Sequence, residues 1–168
     1  MEVMEAIRAR RSIRDYQNRP VPAEILNEVL EAARLAPSAR NRQDWRFVVV
    51  NNPEQIERVA AAAGQSFLAT APVIIAGVAL DPERVMRCGV PAYAVDLAIA
   101  MTNITLVATA HGLGTCWIGS FDQEEVKRVL QIPEAYKVVE LMTLGYPAEE
   151  PAARPRKPLA EVVSYNHF

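Results

Sequence analysis

Residues 8–14, "RARRSIR", place four arginines (Arg8, Arg10, Arg11, Arg14) and one hydroxyl (Ser12) in seven positions of a 168-residue chain whose formal net charge is −2. A guanidinium offers paired N–H donors that match two oxygens of a phosphate, and a hydroxyl or backbone amides beside it complete the cage. A solvated basic surface is the competing explanation. A second basic group, "RPRK" (Arg154, Arg156, Lys157), lies far away on a proline-rich segment able to fold back. Two remote clusters in a net-acidic chain suggest one shared anion, and the chemistry they fit is that of a phosphate-bearing ligand.

Two further stretches carry recognition chemistry. In "APSARNRQDW" (36–45), Ser38, Asn41 and Gln43 offer hydroxyl and amide groups of both polarities, suited to a heterocycle edge or a chain of hydroxyls. A plain helix-stop loop, which Pro37 already demands, explains the same residues. In "GLGTCWIGSF" (112–121) the glycines do not follow GxGxxG, and GxxxxGK[ST] occurs nowhere in the chain. Gly119 at a strand end would let backbone N–H groups approach a planar ligand closely. The side chains of Trp117 and Ile118 read equally well as core.

Other chemistries lack their residues. Ser12, Ser38 and Ser120 have no nucleophile elbow. Cys116 has no identifiable histidine partner, and His111 is assigned to the carbonyls at its helix C-terminus. With two cysteines, two histidines and no CxxC, neither a zinc site nor a disulfide framework is expected. The mild acidity argues against nucleic acid as a partner. The N-terminus lacks the apolar region of a secretory signal, so the cytoplasm is the expected location. The apolar run after Asp96 supplies roughly 15 helical residues before a glycine, short of the ~20 a bilayer needs, and reads as a buried helix with no membrane role.

The elements that must position these groups follow from periodicity. A short amphipathic helix over 2–9 delivers the arginines, and a second helix from Pro22, with Ile25, Leu26, Val29, Leu30 and Ala33 in a stripe, is stopped by Pro37. Strands are predicted at 45–51, 73–79, 114–120 and 138–145, and the unbroken apolar second strand belongs in the centre of the sheet. Asn52-Pro53 starts a helix that Gly64 ends, and Asp122 with Glu125 caps another running through Leu130. Residues 91–111 form a long helix without a polar face, which implies packing on all sides and a homodimer burying part of it. After Tyr146 an extended arm (147–168) is expected, lying on a neighbour. With 51% hydrophobic and 23% charged residues, the chain reads as one domain over 1–168. The strand–helix alternation lacks the glycine-rich turn of a doubly wound sheet, so an α+β sheet flanked by helices is preferred.

Together, "RRSIRDY", "APSARNRQDW", "GLGTCWIGSF" and "LGYP…RPRKPLAEVV" resemble the nitroreductase family of FMN-dependent oxidoreductases, in the family's order and spacing and over nearly the whole chain. The resemblance implies a three-layer α/β/α fold with a mainly antiparallel sheet, stable as an intertwined homodimer with FMN at the interface. It implies that Arg10, Arg11, Ser12 and Arg14 hold the FMN phosphate and ribityl chain with Arg154 and Arg156, leaving Arg8 as ordinary surface. Pro37, Ser38, Asn41 and Gln43 would reach the flavin of the other subunit, Ile118 and Gly119 would meet its ring through their backbone, and Gln65 would contact the pyrimidine edge. Two departures stand out. Asp44 replaces the proline of the usual Gln-Pro-Trp, which is expected to loosen the turn and add negative charge. The chain is also short, lacking the insertion that covers the flavin in longer members.

The implied activity is ping-pong reduction of an electron-poor small-molecule acceptor, a nitroaromatic or quinone, with NADH or NADPH as donor. The cofactor carries the chemistry, so no catalytic side chain is assigned. Two rival readings remain: a flavin-binding or flavin-transforming protein without reductase activity, and a non-catalytic phosphate- or nucleotide-binding regulator.

Overall fold

The computed structural model describes all residues, Met1–Phe168. Its elements are α1 (Val3–Ala9), α2 (Ala23–Arg34), β1 (Trp45–Val50), α3 (Pro53–Ala63), β2 (Val73–Ala79), α4 (Ala92–Ala110), β3 (Gly114–Ile118), α5 (Gln123–Leu130), β4 (Lys137–Gly145) and α6 (Leu159–Val162), with 3-10 turns at Ala39–Asn41 and Ser66–Thr70. The predicted order of helices and strands holds, apart from the one-turn α6 inside the arm.

The four strands pair antiparallel in the order β1-β2-β4-β3. Every residue of β2 is buried, as its unbroken apolar run requires of a central strand. Alternation divides the core between the two faces. Ile74 and Ala76 pack with Ile56, Val59 and Val126 under α3 and α5. Val73 and Ile75 pack with Val29, Met101 and Ile104 under α2 and α4. Burying each such large aliphatic side chain contributes about 1.5–3 kcal/mol. The result is the three-layer α/β/α arrangement.

The helix ends follow local chemistry. Asn52 and Asp122 accept the Gln55 and Glu125 N–H at 3.0 and 2.9 Å, each satisfying an orphan donor of the first turn. Gly64 closes α3 at φ 63°, a left-handed conformation that glycine adopts without a Cβ clash.

By length and composition α4 could cross a bilayer. Here eight of its residues are buried, Ala100, Met101, Ile104 and Ala108 among them in the core shared with the sheet and α2, and Asn103 Nδ2 donates to the Ala32 carbonyl at 3.1 Å. Val95 remains 37% exposed, so one chain leaves part of this apolar helix uncovered. His111 departs from expectation: its Nε2 meets Glu28 Oε2 at 2.8 Å, because α2 packs beside α4 and brings that carboxylate to the ring.

Candidate functional site

The arginine segment leaves α1 and runs beside the edge strand β3. Ser12 bridges Thr115 in parallel, and the Ile13 N–H donates to the Thr115 carbonyl at 2.9 Å. Tyr16 locks the far end of the segment. Its buried hydroxyl donates to the Ile13 carbonyl at 2.7 Å and accepts from Thr143 Oγ1 at 2.6 Å. Burial pushes this phenol well above its usual range. Gly114 lets the segment approach, since a Cβ there would lie 2.5 Å from Ile13 Cγ1.

The arm returns to the same place. Tyr16 bridges Pro147, the Ala148 N–H donates to the Asp15 carbonyl at 2.9 Å, and Glu149 Oε1 accepts the Arg14 N–H at 2.5 Å. The two basic clusters therefore line one groove of about 460 Å³, formed by Ile7, Arg8, Arg10, Arg11, Ser12, Arg14, Pro151, Ala152, Ala153, Arg154 and Arg156. No carboxylate is among these residues, and none of the six arginines joins an ion pair. Arg11 and Arg156 donate to main-chain carbonyls of their own segments. Six guanidinium groups lining one space, with no carboxylate in its wall, are a donor set suited to an anion. Arg8, expected as ordinary surface, is exposed and also borders this groove; Arg11 Nη1, beyond the end of α1, donates to the Arg8 carbonyl at 2.6 Å.

The other expected residues lie outside the groove. Gln65 and the end of β3 come together, with Gln65 Nε2 donating to the Ser120 carbonyl at 3.2 Å. A Cβ on Gly119 would meet nothing within 4 Å, so the space above it is open. From Thr115 to Gly119 the strand edge covers roughly 13 Å, at about 3.3 Å per residue. Ile118 is buried in the core under α3 and α5, leaving its backbone as the part that can face a ligand.

Pro37 ends the α2 turn, and the loop after it is wound tightly. Ser38 Oγ accepts the Gln43 N–H at 3.0 Å, and Gln43 Nε2 reaches Asn41 Oδ1 at 3.3 Å. Arg40, Asn41 and Gln43 have φ of 57°, 53° and 55°. Asparagine tolerates this region, but arginine and glutamine bear the ordinary penalty of roughly 1–2 kcal/mol each. An ionic network holds the loop. Asp44 Oδ2 sits 2.8 Å from Arg42 Nε and 3.3 Å from Arg84 Nη2, while Asp96 accepts the Ala39 N–H at 2.9 Å and meets Arg84 Nη2 at 3.2 Å. Asp44 therefore anchors the turn it was expected to loosen. Sequence reading missed Arg84 and Asp96, since a single charge in a connection and another in an apolar helix carry no local signature.

A thiol reaction is unsupported by the surroundings. Cys116 is buried, and desolvation raises its thiol, offset in part by Arg14. His111, held by Glu28, offers it no base.

The family model for the nitroreductase family matches residues 7–73 and 62–146. The chain is 39% identical over 160 residues to a Methanothermobacter thermautotrophicus protein whose name couples NADH dehydrogenase with NAD(P)H nitroreductase, covering 92% of this chain and 82% of that one. It is 30% identical to an FMN reductase [NAD(P)H] of Bacillus subtilis, covering 94% of this chain and 70% of the relative. Among solved structures, an FMN-dependent nitroreductase of Clostridium difficile R20291 superposes with a TM-score of 0.87 at 30% identity, over 98% of this chain and 99% of that one. The chain belongs to the nitroreductase family.

Proposed function

We propose that this nitroreductase-family chain is an FMN-dependent oxidoreductase that draws electrons from NADH or NADPH and passes them to a small electron-poor acceptor such as a quinone or nitroaromatic. The observation that carries this reading is the carboxylate-free groove of six arginines at one end of the β3 edge, with the open space over Gly119 at the other. The donor set fits the group. Guanidinium forks and the Ser12 hydroxyl match a phosphate dianion, and the roughly 13 Å of strand edge suits a ligand with a phosphate at one end and a flat ring at the other. FMN, when bound, supplies the two-electron hydride chemistry.

The chain's own residues bind and orient. Arg10, Arg11, Ser12 and Arg14, with Arg154 and Arg156 from the arm, hold the phosphate and the adjoining chain. The backbone of Ile118 and Gly119 offers close approach for the ring, with Gln65 at its edge through the Ser120 contact. Pro37, Ser38, Asn41 and Gln43 serve the ligand of a second copy. No side chain is assigned as acid or base, and the protons that accompany reduction come from solvent or from the acceptor's surroundings.

The acting unit is a homodimer of one-domain chains, with residues 147–168 as an extended arm whose end, beyond the groove, lies on the partner. The uncovered side of α4 around Val95 supports this, as do the exposed apolar residues of the arm, Leu159, Val162, Tyr165 and Phe168. The cytoplasm is its proposed location, with no nucleic-acid or membrane partner.

The visible spectrum of the purified protein, followed by anaerobic titration with NADH and then NADPH, tests the reading. A yellow protein bleached by either nucleotide and recoloured by a quinone is the expected result. A colourless protein that binds no FMN on reconstitution overturns the proposal. A yellow protein that neither nucleotide bleaches assigns it a flavin-binding or flavin-transforming role instead.

A further inference from the structure

The Ser38–Asp44 loop presents exposed Asn41 and Gln43 at its tip, yet its two ends are tied to one buried point. At the first end, the Ala39 N–H donates to Asp96 Oδ1 at 2.9 Å, and Asp96 is 4% exposed on the first turns of α4. At the second, Asp44 Oδ2 lies 3.3 Å from Arg84 Nη2, the same nitrogen that sits 3.2 Å from Asp96 Oδ2. One guanidinium nitrogen thus joins both ends of the loop. The Leu80 N–H fixes the backbone of Asp44 at 3.1 Å, and Arg42 adds a further contact to its carboxylate.

Three of the loop's residues are left-handed, and none of the three is glycine. Glycine at 40 and 43 would give the same path without strain, but would leave no side chain at Gln43 for a ligand. A strained, side-chain-bearing loop persists only where its surroundings over-determine it. Here the surroundings are a largely buried Arg–carboxylate bridge anchored in the β2–α4 connection and α4, outside the loop itself.

We propose that Asp96 and Arg84 are positioning residues which, through Asp44 and the Ala39 amide, hold the Ser38–Gln43 loop in a ligand-ready shape. The proposal rests on the FMN reading above and deepens it. Neither residue touches the flavin; each acts by removing the ordering cost that a free loop would incur when the ligand arrives.

The test compares Asp96→Ala with Asp96→Asn in the full chain. Asparagine keeps an acceptor for the Ala39 N–H and alanine does not. FMN affinity is read by flavin fluorescence quenching, the ring's surroundings by the absorption maxima of the bound flavin, and folding by thermal melting without FMN. The expected result is about a tenfold loss of affinity with shifted absorption maxima in Asp96→Ala, and affinity within about threefold of wild type in Asp96→Asn. Unchanged affinity and maxima in a folded Asp96→Ala, even with a lowered melting temperature, overturn the proposal, since the clamp then serves stability alone. If Asp96→Ala does not fold, Asp44→Ala, at the more exposed end of the clamp, is read in the same way and decides. Wild-type protein that binds no FMN overturns the functional reading and this proposal together. Wild-type binding with unaffected variants overturns this one only.

Discussion

Ser12 lies opposite Thr115 in a parallel bridge, and its neighbour Ile13 donates to the Thr115 carbonyl at 2.9 Å. This pairing fastens the arginine-bearing segment to the outer edge of β3, whose other end carries Ile118 and Gly119. It converts a run of charge near the N-terminus into one end of an extended site.

Removing a guanidinium from the groove should weaken FMN binding more than it weakens the fold. Arg10→Ala or Arg14→Ala is expected to cost about 10- to 100-fold in FMN affinity, the range of a charge-assisted hydrogen bond. Arg8→Ala should cost measurably less, because Arg8 lies on α1, before the segment that Ser12 and Ile13 pin to β3. Fluorescence titration at two salt concentrations checks both points, with wild-type affinity falling as salt rises. An Arg8→Ala loss equal to that of Arg14→Ala would contradict the ranking.

Gly114→Ala should uncouple the segment from the strand. Its Cβ would fall 2.5 Å from Ile13 Cγ1 and 2.8 Å from Ile13 Cβ, atoms of a buried and constrained residue. Overpacking of this kind costs about 1–3 kcal/mol. Both the melting temperature and FMN affinity are expected to fall, the latter because Ser12 and Arg14 move with Ile13. Retained affinity in a destabilised variant would separate the bridge from the site.

The stability of the protein should decline between about pH 4.5 and 8 on account of Glu140. This side chain is buried, its Oε1 has no hydrogen-bond partner, and burial pushes its carboxyl up from 4.5 to about 8. The folded state therefore binds the proton more tightly than the unfolded state. The contribution is fully present below the unfolded value and is lost as pH rises to the folded one. Glu140→Gln should melt several degrees higher than wild type at pH 8–9 and close to it at pH 5, as pH-dependent calorimetry would show. Parallel melting curves for the two proteins would exclude the effect.

Thiol chemistry should distinguish the two cysteines. Cys88 is exposed and Cys116 is buried with a raised thiol. A chromogenic disulfide reagent should titrate one thiol per native chain and two after denaturation, and Cys116→Ser should retain NADH-driven turnover. Loss of turnover in that variant without loss of FMN would revive a role for the thiol.

The sequence was informative where a single element suffices to state a residue's role. The continuous apolar run Val73–Ala79 could only be a central strand, and the cap residues Asn52 and Asp122 announced α3 and α5 through contacts three residues away. The arginine groove was legible because two clusters of unusual composition both called for one anion. That the exposed Arg8 also borders the groove was not legible, since this depends on where the arm returns. His111 and Asp44 were misread for a similar reason: Glu28 and Arg84, their partners, are distant in sequence and have no local pattern.

By itself, then, the sequence determined the order and type of the elements, the central place of the apolar second strand, and the presence of two basic clusters that suggest one phosphate-bearing ligand. These follow from periodicity, capping and charge, which act over a few residues. Only the tertiary structure decided that the arm closes the groove over Arg8 to Arg14, that Gly114 admits Ile13 to the strand edge, and that Arg84 ties Asp44 to Asp96 beneath a left-handed loop. Those contacts join residues dozens of positions apart, and their geometry is set by packing of the whole core.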